Sequence, residues 1–176
     1  SGGSKLAKVT DGAVSFDGSG DYLNCGTSND FAMGTGNFTV ECFIYVNSFT
    51  SPVAGIVETA ATNTAGRFCL LTYSNGTINV DTVSVTLLAG ETLSSKRWYH
   101  IAVTRSGTDF RLFVDGKLSA SATNSTDFDE DDLVIGKTFN DYYFNGFISN
   151  ARIIKGTALY TTDFTPPTRE LTDVTN

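Results

Sequence analysis

The sequence predicts an all-β protein, an antiparallel two-sheet β-sandwich or jelly roll. Three observations carry this. Apolar residues recur with the two-residue repeat of strands along most of the chain. Gly, Ser, Thr and Asn are abundant beside 13 Phe and 7 Tyr, which suits short strands and polar turns better than helices. Turn dipeptides such as Asn75-Gly76 and Asp115-Gly116 separate the apolar runs at strand-length intervals.

Taken in order, Ala13 to Phe16 and Asp21 to Cys25 read as short strands flanking the turn at Gly18-Ser-Gly20. Phe38 to Val46 is a longer strand, followed by Val53 to Glu58, Arg67 to Tyr73, Thr77 to Val80 and Val83 to Leu88. Asn75-Gly76 predicts a type I′ hairpin, because both residues tolerate positive φ. Trp98 to Arg105 and Phe110 to Val114 form the clearest pair. Phe110, Leu112 and Val114 alternate with Arg111 and Phe113, so one face is assigned to the core. Asp115-Gly116 reverses the chain into Leu118, Ala120 and Ala122, and Leu133 to Ile135 and Phe147 to Ile154 complete the set. No amphipathic helix is read; Thr157 to Tyr160 is expected to form one short turn.

The 176 residues suffice for one substantial core, and no linker or repeat divides them. Ser1 to Ser4 reads as a cloning scar or linker end, so the natural protein is expected to be longer, and residues 5–176 read as one sandwich domain. Net charge is −7 with no Lys/Arg cluster, which excludes a phosphate-binding surface and hence nucleic acid. No apolar run approaches the roughly 20 residues that span a bilayer, and no signal peptide is read, so membrane insertion is not expected. Cys25, Cys42 and Cys69 lack metal-type spacing and are odd in number, which reads as buried thiols made in a reducing cytoplasm.

Four segments resemble a known family. They are Val14 to Tyr22, Asn37 to Phe43, Trp98 to Arg105 with the Phe113-Val-Asp-Gly-Lys117 hairpin, and Asn145 to Ile153. In this order they resemble the laminin-G-like, concanavalin-A-like lectin/glucanase sandwich. The ending Lys155 to Tyr160 and Phe164 to Pro167 resembles members carried by tailed-phage virion proteins. The second segment departs from the family pattern, with Cys42 and Phe43 where an aromatic pair ending in Trp is common. The resemblance implies a virion location (tail fibre, baseplate or capsid appendage) after synthesis in the host cytoplasm. It also implies other virion proteins as partners.

Catalytic chemistry is poorly supported. Glucanases of this fold set two Glu and an Asp along one strand, because alternate residues share a face and retaining hydrolysis needs carboxyls about 5 Å apart. Here Glu130-Asp-Asp132 is followed by Val134 and Ile135, so the third carboxylate is missing and no catalytic residue is assigned. His100, the one histidine, reads as a structural residue on a sheet face. The run Asp127 to Asp132 has Asp132 and Thr138 where a calcium loop needs Gly and Glu, and reads as a solvated acidic turn. The sequons at Asn37, Asn75 and Asn124 read as accidental.

Glycan recognition needs an aromatic ring to stack on a sugar face and polar groups to bond its hydroxyls. Residues 139–145, Phe-Asn-Asp-Tyr-Tyr-Phe-Asn, supply both. The candidate glycan-binding residues are Tyr142, Tyr143, Asn140, Asp141 and Asn145, with at least one tyrosine expected to be exposed. The family resemblance further implies Ca²⁺, structural or ligand-ordering, held by rim oxygens, with Asp21, Asn24 and Asp141 as candidate ligands. The expected function is thus a non-catalytic, lectin-like domain recognising a glycan or cell-surface polysaccharide of the host. The alternatives are a structural or decoration module making protein contacts, and a glycan hydrolase.

Overall fold

The computed structural model describes residues 12–50, 52–83 and 85–171. Within them the chain forms β1 (Val14–Asp17), β2 (Leu23–Thr27), β3 (Phe38–Val46), β4 (Val53–Glu58), β5 (Cys69–Tyr73), β6 (Thr77–Thr82), β7 (Val85–Thr92), β8 (Trp98–Ser106), β9 (Asp109–Val114), β10 (Lys117–Thr123), β11 (Asp132–Ile135) and β12 (Asn145–Lys155). The first sheet runs β1-β12-β3-β8-β9-β10 and the second β2-β11-β4-β5-β6-β7, six strands each. All neighbours are antiparallel.

The two-residue repeat sets the core between the sheets. Phe38, Val40, Cys42, Ile44 and Val46 of β3 face Ile56, Leu70, Ile78 and Val80 of the second sheet within one buried cluster. At one end the Phe38 ring takes the edges or faces of Phe68, Phe110 and Phe128 at centroid separations of 5.8, 5.9 and 6.0 Å. Phe128 comes from the acidic run, whose carboxylates stay at the surface or half-buried while its one ring fills the core.

The two turn expectations divide. Asp115 and Gly116 both hold positive φ, 50° and 78°, and join Val114 directly to Lys117 as a two-residue type I′ hairpin. Asn75 does not hold positive φ; Gly76 alone does, at 87°. The connection is therefore a three-residue loop, Ser74-Asn75-Gly76, closed by the Gly76 N–H donating to the Tyr73 carbonyl at 2.9 Å. Asn75 Oδ1 accepts the Thr77 N–H at 3.0 Å, which stabilises that geometry over a two-residue turn.

The alternating residues on the far side of β3 are also buried, against the usual one-sided pattern. Thr39 and Glu41 bond the tail that follows β12, and Phe43 packs on the His100 ring at 4.8 Å. Residues 157–160 form no regular turn; they begin an extended strap across the first sheet. Thr39 Oγ1 donates to the Thr157 carbonyl at 2.9 Å, Thr104 Oγ1 to the Tyr160 carbonyl at 2.7 Å, and the Phe164 N–H to the Gly116 carbonyl at 2.8 Å. The Tyr160 and Phe164 rings stack at 3.6 Å, and Phe113 packs on Phe164 at 5.4 Å. His100 is buried there as a structural residue, its Nε2 3.0 Å from Glu41 Oε2.

Of the three thiols, Cys42 and Cys69 are buried, while Cys25 is exposed on β2, correcting the expectation for that residue. β2 lies at the edge of its sheet, where neither of its faces is fully covered.

Candidate functional site

The loop between β11 and β12 crosses the outer face of the second sheet, and Gly55 of β4 permits the crossing. A Cβ at Gly55 would stand 2.2 Å from the Lys137 carbonyl carbon, so only glycine lets the two backbones approach. The Gly55 N–H donates to the Tyr142 carbonyl at 3.2 Å, as does the Thr138 N–H. Gly55→Ala is expected to lift this loop and destabilise the protein by about 1–3 kcal/mol. Urea unfolding checks the stability, and faster amide exchange at Tyr142 checks the displacement.

A buried ion pair fixes the loop from beneath. Glu58, at the end of β4, bonds Arg67 Nε through Oε1, and its Oε2 accepts the Phe139 N–H at 3.0 Å. The Arg67 guanidinium lies over the Phe139 ring, 4.7 Å from its centroid, and its Nη1 donates to the Thr82 carbonyl at 3.2 Å. Burial raises the Glu58 carboxyl above its ordinary value, against the opposing pull of Arg67.

Between loop and sheet lies a pocket of about 290 Å³. Leu71 and Tyr73 of β5 form its floor, because they alternate with the core residue Leu70 and so face outward. Phe139, Asn140 and Tyr142 form the loop wall, and Arg67, Asp81, Thr82, Thr86 and Asn63 supply further polar groups. The Tyr73 hydroxyl donates to Asp81 Oδ2 at 2.9 Å, which orients both on the floor. Aromatic faces beside amide, guanidinium, hydroxyl and carboxylate groups are the chemistry that holds a sugar. A larger cleft of about 550 Å³ opens at the sandwich edge, but Val14, Phe16, Leu23, Ile135 and Ile148 make it apolar and unlike a sugar site.

The structure brings only part of the predicted set to this pocket. Asn140 and Tyr142 line it. Tyr143 and Asp141 lie on the opposite flank of the loop, where Tyr143 leans on Tyr22 at 6.5 Å and Asp141 Oδ1 accepts from Lys137 Nζ at 2.7 Å. Asn145 opens β12 and pairs with Asp17 of β1. Phe144 is fully buried, while Phe139, Tyr142 and Tyr143 are half-buried. Asp21 Oδ2 accepts the Asp17 N–H at 3.2 Å, and Asn24 Oδ1 accepts the Gly26 N–H at 2.8 Å. Among the described residues no group of three or more His, Cys, Asp or Glu stands together as a metal site.

Sequence reasoning missed Arg67, Glu58, Tyr73 and Asp81. Gly55 within an apolar strand marks a close backbone approach, and Glu58 and Arg67 are charges at the ends of apolar runs, whereas no local signal marks Tyr73 or Asp81.

The family described as the concanavalin A-like lectin/glucanases superfamily matches residues 17–160. A comparison with curated proteins returns no match. Among solved structures, Trypanosoma rangeli sialidase bound to the inhibitor DANA superposes with a TM-score of 0.67 at 15% identity, covering 88% of this chain and 27% of the sialidase. This chain thus spans about a quarter of the sialidase's length. The CBM40 of Ruminococcus gnavus IT-sialidase, bound to α2,3-sialyllactose, gives 0.59 at 13% identity, covering 85% and 90% of the two chains. Mouse laminin α1 domains LG4-5 give 0.63 at 16% identity, covering 84% and 42%. At these identities the likeness is one of fold.

Proposed function

Because the chain belongs to the concanavalin A-like lectin/glucanases superfamily, we propose that it is a non-catalytic carbohydrate-binding domain whose site is the pocket under the β11–β12 loop. The observation that carries this is the wall of Phe139, Asn140 and Tyr142 facing Tyr73, Arg67 and Asp81 across a pocket of ligand size. Tyr142 and Phe139 would stack on sugar faces, and Asn140, Asn63 and Thr86 would bond hydroxyls. The sialyllactose-bound CBM40 supports a glycan as the ligand class. We place the domain on a phage virion appendage, where many weak sites would gain avidity by acting together.

A second reading rests on one observation. Trp98, Tyr45 and Phe147 form a half-buried aromatic row across β8, β3 and β12, with centroids 5.6 and 5.9 Å apart. The rings tilt against one another by 56° and 71°, so they present no flat stacking surface, and a protein neighbour in a virion suits them better.

A glycan array containing bacterial surface polysaccharides tests the main reading. Binding is expected, and Tyr142→Ala should weaken it about tenfold, as for loss of one stacking ring. No binding would move the assignment to the protein-contact module, and a Tyr142→Ala protein that binds as well as the parent would remove this pocket as the site.

A further inference from the structure

We propose that Lys137 is the cation that orders the binding loop, in the role that the family resemblance implies for Ca²⁺, so that glycan binding in the pocket needs no metal. The inference rests on the carbohydrate-binding reading above and concerns how that same site is held.

The Lys137 ammonium lies 2.7 Å from Asp141 Oδ1 and 4.1 Å from the centroid of the Tyr22 ring. Tyr22 stands just before β2, so one charge joins the β1–β2 connection to the loop before β12. The side chain of Lys137 is only 17% exposed, against 61% for Asp141, so Lys137 is the more enclosed side chain of the pair and Asp141 the outer one. Tyr143 pairs with Lys137 through the backbone and lays its ring toward Tyr22, closing the other side. A cation between a carboxylate and an aromatic face is held by both.

What this holds in place is the pocket wall. Asp141 has φ of 60°, a conformation that non-glycine residues adopt only with local support. Its N–H donates to the Thr138 carbonyl at 3.0 Å, and its carboxylate is tethered by Lys137. The residues on either side of it, Asn140 and Tyr142, line the pocket, so fixing Asp141 fixes the direction of both.

The same geometry does not fit a divalent ion at the predicted ligands. Asp141 is already engaged by an ammonium, and a calcium ion beside it would face a like charge. Asp21 spends an oxygen on the β1–β2 connection and Asn24 one on the backbone of β2. Burial alone would lower the Lys137 pKa, but Asp141, with Tyr22 and Tyr143, outweighs this and raises it, which keeps the side chain charged.

The test compares the parent with Lys137→Met and Lys137→Arg in three measurements. Calcium uptake is followed by calorimetry, and terbium uptake by emission sensitised through Tyr22 and Tyr143. Amide exchange at 138–143 reports loop order without any glycan. The polysaccharide array is read in calcium and in EDTA. The parent is expected to take up neither ion stoichiometrically and to give the same array pattern in both buffers. Lys137→Met should speed exchange at Asp141 and Tyr142 and lower array signals about five- to tenfold, with exchange in β3 and β8 unchanged. Lys137→Arg should restore both. Stoichiometric calcium uptake by the parent, loss of its array signal in EDTA, or unchanged loop exchange in Lys137→Met would each overturn the inference. If Tyr142→Ala leaves array binding intact, the pocket assignment fails instead; exchange and ion uptake then still decide the role of Lys137.

Discussion

Replacing Glu41 by alanine is expected to destabilise the protein by about 3–5 kcal/mol, the range for removing one partner of a buried charge cluster. Glu41 is fully buried between the first sheet and its strap. Arg152 Nε donates to Oε1 at 2.9 Å, while Oε2 lies 3.0 Å from His100 Nε2 and accepts from the Tyr160 hydroxyl at 3.0 Å. Alanine would remove the acceptor that all three groups share. His100 Nδ1 already lacks a hydrogen-bond partner, so the imidazole would be left with none. At about 2–4 °C per kcal/mol for a protein of this size, the loss reads as a fall in Tm of about 6–20 °C. Tyr160→Phe removes only one bond to a charged acceptor and should lose about 1.5–3 kcal/mol. If Glu41→Ala matches Tyr160→Phe, the cluster is not the anchor of the strap.

The same cluster predicts the acid response. Burial pushes the Glu41 carboxyl up, but the His100 and Arg152 bonds outweigh this and hold it below its ordinary value near 4.5. A depressed folded pKa gives stability that is complete above 4.5 and is lost as pH falls through the folded value. Glu58 acts in the opposite sense, since its raised pKa means that the folded state takes up its proton first. The acid-induced loss attributable to this cluster should therefore shrink in Glu41→Gln, measured by urea unfolding between about pH 5 and pH 2.

Phe38→Ala is the second large effect, with an expected loss of about 3–5 kcal/mol from transfer and cavity contributions together. The Phe38 ring is fully buried and central to three aromatic contacts, with Phe68, Phe110 and Phe128. These come from β9, from the residue before β5 and from the loop before β11, so no single neighbour can swing in to fill the space. Phe38→Leu should recover roughly half of the loss, because it restores most of the apolar volume but not the edge-to-face geometry. Equal stability of Phe38→Ala and the parent in urea unfolding would contradict this packing.

The sandwich itself was legible in the residues. β3 and β4 have the bounds that the alternation of Phe38 to Val46 and Val53 to Glu58 predicts, and Asp115-Gly116 forms the expected hairpin. These features depend on neighbours in sequence: strand period and turn φ are local properties. That residues 139–145 carry rings beside amides is likewise plain from composition alone.

How that loop divides was decided only in three dimensions. Tyr142 and Tyr143 are adjacent, yet one lines the pocket and the other packs on Tyr22, because the loop crosses Gly55 and alternate residues leave on opposite sides. Arg67, just before β5, and Tyr73 and Asp81, on β5 and β6, join the pocket from about sixty to seventy residues earlier, a pairing that no local repeat encodes. Burial of Glu41 and His100 is of the same kind. Their positions in β3 and β8 mark them as facing away from the core, and the strap, arriving from the far end of the chain, turns that outer face into a second interior. The sequence by itself determined which residues share a strand face; the tertiary structure decided which of those faces are covered and by what, because covering depends on contacts between segments remote in the chain.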